Sequence, residues 1–158
     1  MGESGKFDTQ NEVNRSEMFK GEFNHTIDEK GRLIIPAKLR EGLGNEFVVT
    51  RGLDGCLFGY NNSEWEIFED KLRKLPITNK DARTFQRYML AGAASVEVDK
   101  QGRILLPQNL RNDAKLEKDV VLIGVGSRIE IWNKDIYEEA TAVDNMENIA
   151  ENMSTLGI

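Results

Sequence analysis

Short apolar runs separated by glycine- and proline-bearing turns recur along the chain, and longer segments show helical spacing. The runs predict strands at 23–27, 33–35, 46–50, 56–60, 95–98, 104–106, 119–123 and 128–132. Apolar positions three or four residues apart predict helices at 64–75, 80–91 and 134–142. Residues 33–35 and 104–106 are apolar throughout, which favours burial on both faces of those strands. The expected fold class is α+β.

The second half of the chain repeats the first. Shifting the sequence by 71 residues aligns 27–36 with 98–107, and Leu39-Arg40 with Leu110-Arg111. After a slip of one residue the match continues, so that each copy spans about 45 residues. A solenoid needs three or more repeats to bury a continuous core. Two copies therefore predict a pseudo-symmetric pair.

The repeat also predicts how the chain divides. Residues 1–17 are polar and lack periodicity, which is typical of a disordered extension or an expression tag. We expect the first repeat at 18–76, a connecting helix at 77–92, the second repeat at 93–142 and a C-terminal tail at 143–158. Pro36 and Pro107, in equivalent positions, suit the first turn of a short helix in each copy.

Each copy has the same tight turn between two predicted strands. Asp28 and Gly31 shape the first turn, and Asp99 and Gly102 shape the second. An aspartate at the first position bonds to the backbone ahead of it, and a glycine at the fourth adopts positive φ. Each turn is expected to be the tip of a hairpin formed by its two flanking strands.

An arginine follows the glycine in both turns, as Arg32 and Arg103. Two interpretations remain open. The arginine can form an ion pair with the aspartate of its own turn, or its guanidinium can reach a phosphate or a guanine edge. Turn formation does not require arginine in both copies, so the repeated arginine makes DNA binding as well supported as the ion pair. Lys30 and Lys100, at the exposed tips, are further candidates for DNA binding.

Three segments, 18–40, 83–94 and 99–107, together resemble the MraZ family, which belongs to the AbrB-like swapped-hairpin group. The resemblance implies two tandem AbrB-like repeats that form a pseudo-symmetric β-barrel with peripheral helices. It also implies a ring-shaped homo-oligomer that binds double-stranded DNA. The implied sites are direct repeats in the promoter of the division and cell-wall gene cluster, and the usual role is that of a repressor.

The resemblance implies specific roles for the turn residues. Arg32 and Arg103 match the DNA-contacting arginines of the family's two motifs. Gln101 stands where the first copy has Lys30. The first copy is therefore expected to contact DNA more strongly than the second.

The net charge of −6 is unusual for a nucleic-acid binder, but the acidity lies mainly at the two ends. Residues 1–17 carry four acidic and two basic side chains, and residues 144–158 carry three acidic and no basic ones. The remaining body carries twenty acidic and nineteen basic side chains. Screening limits the range of exposed charges to about 8 Å at physiological salt, so a near-neutral body can present a local basic surface.

Other residues give little indication of catalysis or ligand binding. His25 has no second histidine or carboxylate at metal-ligand spacing, and Cys56, the single cysteine, lies in an apolar run that predicts burial. Residues 124–127 lack the lysine of a phosphate-binding loop and are expected to be a hairpin turn. The basic and aromatic segment 80–88 is expected to be an amphipathic connecting helix rather than a nucleic-acid contact. We expect no enzyme activity, metal, cofactor, small-molecule substrate or membrane span.

The sequence thus predicts a sequence-specific DNA-binding regulator that is cytoplasmic and associated with the nucleoid. An alternative of a different class also remains open. In that alternative the protein is an oligomeric protein-binding assembly module, whose turns contact another protein rather than DNA.

Overall fold

The structure is a computed structural model that describes residues 18–158. The expected extension or tag at 1–17 lies outside the described residues. The strands are β1 (Phe19–Thr26), β2 (Arg32–Ile34), β3 (Glu46–Arg51), β4 (Leu57–Tyr60), β5 (Ala94–Glu97), β6 (Arg103–Leu105), β7 (Asp119–Gly126) and β8 (Arg128–Asn133). The helices are α1 (Ala37–Leu43), α2 (Asn62–Arg73), α3 (Lys80–Ala91), α4 (Gln108–Asp113), α5 (Lys134–Thr141) and α6 (Met146–Met153), followed by a 3-10 turn at Ser154–Leu156.

Prolines and asparagines set where the helices begin. The predicted short helices are present, but α1 starts directly after Pro36 and α4 directly after Pro107, so each proline is the N-cap residue and does not lie in the first turn. The side-chain oxygens of Asn61, Asn79 and Asn133 cap α2, α3 and α5. Each accepts a hydrogen bond from the backbone N–H three residues further on, at 2.8, 3.0 and 3.1 Å respectively. These caps satisfy backbone donors that have no partner within the helix.

The two copies interlock through a six-stranded antiparallel sheet in the order β1-β7-β8-β4-β3-β5. Strands β1, β3 and β4 come from the first copy, and β5, β7 and β8 from the second. The equivalent strands of the two copies are β1 and β5, β3 and β7, and β4 and β8. If each strand is exchanged for its equivalent, the order read from one edge becomes the order read from the other edge. The predicted pseudo-symmetric pair is therefore confirmed, and three of the five pairings join one copy to the other.

The six-stranded sheet is open, so the closed β-barrel implied by the family resemblance is not formed by the described residues. β1 and β5 are edge strands, and β2 and β6 pair with each other in a separate two-stranded sheet. The expected hairpins are also wrong, because β1 does not pair with β2 and β5 does not pair with β6. Only an isolated bridge joins Leu33 to Ile27, the residue after β1. The reason is that the backbone groups of β2 bond to those of β6 in the other copy.

Apolar clusters cover both faces of the six-stranded sheet. The first cluster fills the space beneath β2, β6, α1 and α4, and contains Leu33, Ile35, Ile104 and Leu106. The second cluster is covered by α2, α3 and α5 and is rich in aromatic side chains. Its members include Tyr60, Trp65, Trp132 and the half-buried Tyr137. Tyr60 and Trp132 occupy equivalent positions in the repeat, as do Trp65 and Tyr137, so the aromatic residues of both copies share one core.

The apolar tripeptides at 33–35 and 104–106 are not buried on both faces. Their first and last residues are fully buried, but the middle residues are exposed, Ile34 by 45% and Leu105 by 58%. The prediction of two-sided burial is wrong because the two-stranded sheet covers the core with one face only. Its other face is an outer surface of the described part of the chain.

Gly124 lies within β7 rather than in the turn predicted at this point. The strand continues to Gly126, and a Cβ atom on Gly124 would lie only 2.6 Å from the Cα atom of Lys20. Glycine is therefore needed here for the close approach of β1 and β7, and the position is not part of a phosphate loop. No helix within residues 18–158 has the length and apolar character that crossing a membrane requires.

Candidate nucleic-acid interface

The first turn is held by a carboxylate that accepts backbone hydrogen bonds. Oδ1 of Asp28 accepts from the N–H groups of Lys30 at 3.0 Å and Arg32 at 2.9 Å. Gly31 adopts a φ of +91°, and its N–H donates to the carbonyl oxygen of Asp28 at 3.0 Å. The shape of this turn therefore rests on the aspartate, the glycine and backbone groups, and not on the arginine side chain.

The second turn repeats this geometry. Oδ1 of Asp99 accepts from the N–H groups of Gln101 and Arg103, both at 2.9 Å. Gly102 has a φ of +80°, and its N–H donates to the carbonyl oxygen of Asp99 at 3.0 Å. The two turns thus have the same backbone conformation at the point where their arginines follow.

These hydrogen bonds lower the pKa of both turn carboxyls. For Asp28 the backbone N–H of Arg32 is the largest cause of the lowered pKa, and the guanidinium of the same residue adds to it. Arg103 lowers the pKa of Asp99 in the same way. A hydrogen bond donated to the charged form favours that form. Both turns therefore hold an ionised carboxylate at neutral pH.

Each arginine forms an ion pair with the aspartate of its own turn, which is the first of the two interpretations that the sequence leaves open. Nε of Arg32 donates to Oδ2 of Asp28 at 2.6 Å, and Nε of Arg103 donates to Oδ2 of Asp99 at 2.9 Å. This contact uses the Nε edge and leaves the Nη atoms for other acceptors. In the second turn Nη2 of Arg103 donates to Oε1 of Gln101 at 2.6 Å. The Nη atoms of Arg32 have no hydrogen-bond acceptor within residues 18–158.

Arg32 and Arg103 lie on one surface because β2 and β6 are paired. The register places Arg32 opposite Leu105 and Ile34 opposite Arg103. Side chains alternate between the faces of a strand, so these four residues share the outer face of the two-stranded sheet, and we call this surface the ribbon face. Diagonal neighbours in an antiparallel pair are about 7–8 Å apart, which is the expected spacing of the two arginines.

Lys30 and Lys100 are exposed at the tips of the two turns. They do not occupy equivalent positions, because Lys30 aligns with Gln101 and Lys100 aligns with Glu29. Neither lysine forms a salt bridge with another described residue. The lysines therefore add positive charge beside the ribbon face without the pseudo-symmetry of the arginines.

Two further arginines, Arg40 and Arg111, lie against the turns. A Cβ atom on Gly31 would lie 2.7 Å from Cζ of Arg111, and one on Gly102 would meet the guanidinium of Arg40. Each arginine therefore packs beneath the turn of the other copy. Nε of Arg111 donates to the carbonyl oxygen of Leu106 at 3.1 Å, whereas Nε of Arg40 is buried without a partner in the described part of the chain.

The role of Arg40 and Arg111 was not predicted from the sequence, although the repeat aligns the two residues with each other. The feature of the sequence that could have identified them is their identical spacing, because each follows the turn arginine of its own copy by eight residues. Residues 28–40 carry four basic and two acidic side chains, and residues 99–111 carry three basic and one acidic. Both turn segments are thus locally positive in a chain of net charge −6.

The remaining candidate residues lie elsewhere. His25 is in β1, paired with Val120. Cys56 is buried, and burial raises the pKa of its thiol to about 12. In α3, Met89 is fully buried and Phe85 packs against the second cluster, as an amphipathic helix requires. Within residues 18–158 no group of three histidine, cysteine or acidic side chains could hold a metal ion.

The fold and the paired turns define a class of small β-rich proteins in which two fused copies of one strand-turn-strand unit interlock. A family model described as "MraZ protein, putative antitoxin-like" matches residues 18–88 and, a second time, residues 89–156. The chain belongs to the MraZ family.

Several relatives are similar over nearly the whole described chain. A protein of Acetivibrio thermocellus is 59% identical over 143 residues, which is 89% of this chain and 100% of the relative. One from Clostridium beijerinckii is 57% identical, again over 89% of this chain and 100% of the relative. A third, from Lachnoclostridium phytofermentans, is 58% identical over 89% of this chain and 99% of its own length. All three are named transcriptional regulator MraZ.

Proposed function

We propose that this protein is a sequence-specific DNA-binding transcriptional regulator and that Arg32 and Arg103 contact the DNA. The observation that carries the proposal is their position on the ribbon face, where two guanidinium groups project from one exposed surface. Lys30 and Lys100 flank this surface and add sequence-independent attraction to phosphates. The names of the relatives agree with this function.

The ion pairs within the turns are compatible with DNA binding. Asp28 and Asp99 engage the Nε edge of their arginines, so each guanidinium is oriented before DNA arrives. A guanidinium is a planar fork that can donate two parallel hydrogen bonds to a phosphate or to O6 and N7 of guanine. An arginine that is already oriented loses less side-chain entropy on binding than a free one.

We further propose that the protein acts as a ring-shaped homo-oligomer that binds direct repeats, and that it represses the division and cell-wall gene cluster from the nucleoid. The charge distribution supports multivalent binding. The two turn segments, 28–40 and 99–111, each have a net charge of only +2 within a chain of net charge −6, so a single copy would bind DNA weakly. Once one ribbon face of an oligomer has bound DNA, the other ribbon faces of that oligomer are held near neighbouring sites at a high effective concentration.

The test is a mobility-shift titration on the DNA upstream of the protein's own gene, with wild type and Arg32→Ala/Arg103→Ala. The matched control is Arg73→Ala/Arg87→Ala, which removes the same charge from the exposed faces of α2 and α3. We expect the turn variant to lose binding and the control to keep it. Light scattering on all three proteins checks that the oligomer has the same mass.

The outcomes separate the proposal from its alternatives. Equal binding by the turn variant and the wild type would exclude the turn arginines as the DNA contact. Loss of binding in the control variant alone would assign the contact to α2 and α3. A well-formed oligomer that does not shift the DNA even at low salt would favour the protein-binding assembly module.

A further inference from the structure

The ribbon face contains two large aliphatic side chains beside its arginines. Ile34 and Leu105 are 45% and 58% exposed, and no described residue covers them. Ile34 lies opposite Arg103, and Leu105 lies opposite Arg32, so apolar and basic side chains alternate across the paired strands. An outer surface with this composition suits a partner that is both anionic and locally apolar.

Phosphate binding does not account for the two aliphatic side chains. The side chains of Ile34 and Leu105 have no hydrogen-bond donor for a phosphate. Their apolar surface stabilises a complex only when another apolar group covers it and removes it from water. DNA presents such a group in its major groove, where each thymine carries a 5-methyl group. The major groove is about 12 Å wide and admits a two-stranded β-ribbon. β2 and β6 form a two-stranded sheet whose outer face is free in the described chain.

On the basis of the proposed DNA binding, we infer that the ribbon face lies in the major groove and that Ile34 and Leu105 contact thymine 5-methyl groups. The two side chains are diagonal neighbours on the strands, which places them about 7–8 Å apart. Successive nucleotides of one strand are spaced about 3.4 Å along the helix axis. The contacted methyl groups are therefore about two base pairs apart, next to the positions that Arg32 and Arg103 bind.

The test replaces every thymine in the bound DNA by uracil, which removes the 5-methyl groups and keeps the base pairs and phosphates. Binding of the wild type should weaken about fourfold for each 5-methyl group that the protein covers in thymine DNA, which corresponds to one buried methyl group. Ile34→Ala/Leu105→Ala should bind thymine DNA as weakly as the wild type binds uracil DNA. The same variant should not distinguish thymine DNA from uracil DNA, because it has no side chains to contact the methyl groups.

A matched control removes two other exposed isoleucines, as Ile67→Ala/Ile77→Ala. These side chains are 47% and 77% exposed and lie away from the ribbon face. The control should keep the full sensitivity to uracil. The single variants Ile34→Ala and Leu105→Ala, each expected to lose part of that sensitivity, repeat the test in case the double variant folds poorly.

The failure of this inference differs from the failure of the proposed function. Equal binding of wild type to thymine and uracil DNA would overturn the methyl contacts and leave the arginine contacts standing. No binding to either DNA would overturn both. If Ile34→Ala/Leu105→Ala changes the mass of the oligomer in light scattering, the ribbon face is a contact between copies, and the inference is wrong.

Discussion

The backbone N–H of Ile35 donates a hydrogen bond to the carbonyl oxygen of Gly102 at 2.9 Å, although the two residues belong to different copies of the repeat. The reciprocal bond, from Leu106 to Gly31, has the same length. The exit strand of each turn is therefore fixed to the turn glycine of the other copy. This exchange makes the two turns one surface, and it is the reason that both arginines lie on the ribbon face.

Replacing a turn glycine should destabilise the fold, and by different amounts in the two copies. A side chain at positive φ costs about 1–2 kcal/mol of unfolding free energy. In Gly31→Ala the new Cβ also displaces Arg111 from its hydrogen bond to Leu106, which adds about 0.5–1.5 kcal/mol. In Gly102→Ala the new Cβ displaces Arg40, whose Nε forms no hydrogen bond with another described residue, so no hydrogen bond of that atom is lost. Urea denaturation should therefore rank Gly31→Ala as the less stable variant.

Gly55→Ala is the control for this comparison. Gly55 has a φ of +90°, and no atom lies within 4 Å of the position of an added Cβ. The loss of unfolding free energy in Gly55→Ala therefore gives the cost of a side chain at positive φ when no arginine is displaced. If Gly31→Ala is no less stable than Gly55→Ala, Arg111 does not support the first turn in the way described.

Acid should weaken the turns in a defined pH range. The pKa values of Asp28 and Asp99 are lowered from the ordinary value of 3.8 by the hydrogen bonds of their turns. A carboxyl with a lowered pKa in the folded state stabilises the fold above its unfolded pKa, and this stabilisation is lost as pH falls through the folded pKa. The free energy of unfolding should thus decline below about pH 4. In Asp28→Asn/Asp99→Asn the decline should be smaller.

Urea denaturation at a series of pH values measures this difference. Asp144→Asn is the control, because Asp144 is exposed and forms no salt bridge with another described residue. Its pH dependence should match that of the wild type. An Asp28→Asn/Asp99→Asn protein with an unaltered acid decline would mean that the turn carboxylates contribute nothing to the folded state.

The two arginines should contribute unequally to DNA binding. Nη2 of Arg103 already donates to Oε1 of Gln101, whereas the Nη atoms of Arg32 have no acceptor among the described residues. Loss of a direct arginine contact costs about 1–3 kcal/mol of binding free energy. Arg32→Ala should approach the upper part of that range and Arg103→Ala the lower. Gln101→Ala should release Arg103 and strengthen binding; weaker binding by this variant would contradict the competition.

Cys56 should be unreactive in the folded protein. Burial raises the pKa of its thiol to about 12, and its Sγ donates to the carbonyl oxygen of Leu53 at 3.2 Å. Only the thiolate is a good nucleophile, so a disulfide reagent at neutral pH should react only as fast as the protein unfolds. The same reagent added in urea provides the control. Rapid, complete reaction under native conditions would contradict the described packing.

The sequence was sufficient to predict the features of the fold that depend on local chemistry. Helix α3 has the bounds that the periodicity predicts, because its apolar face lies within the segment and Asn79, the residue before it, caps its first turn. The duplication likewise predicts the pseudo-symmetric pair, since two similar segments fold into similar units. The aspartate and the glycine of each turn are also recognisable from their positions alone.

The sequence did not predict the features that depend on pairing between distant strands. Nothing in 33–35 or 104–106 distinguishes a strand that pairs within its own hairpin from one that pairs with the other copy. The exposure of Ile34 and Leu105 follows from that pairing, and so does the open sheet. The role of Arg40 and Arg111 beneath the opposite turns depends on the same interlocking. The ribbon face could therefore be described only once the strand register was known.

The salt dependence of DNA binding tests the central claim most directly. For duplex DNA the slope of log K against log salt is about −0.9 for each phosphate that the protein neutralises. We predict that Arg32→Ala/Arg103→Ala binds more weakly than the wild type and with a shallower slope, while Arg73→Ala/Arg87→Ala keeps both values. An Arg32→Ala/Arg103→Ala protein with the affinity and the slope of the wild type would contradict the assignment of the ribbon face as the DNA-binding surface.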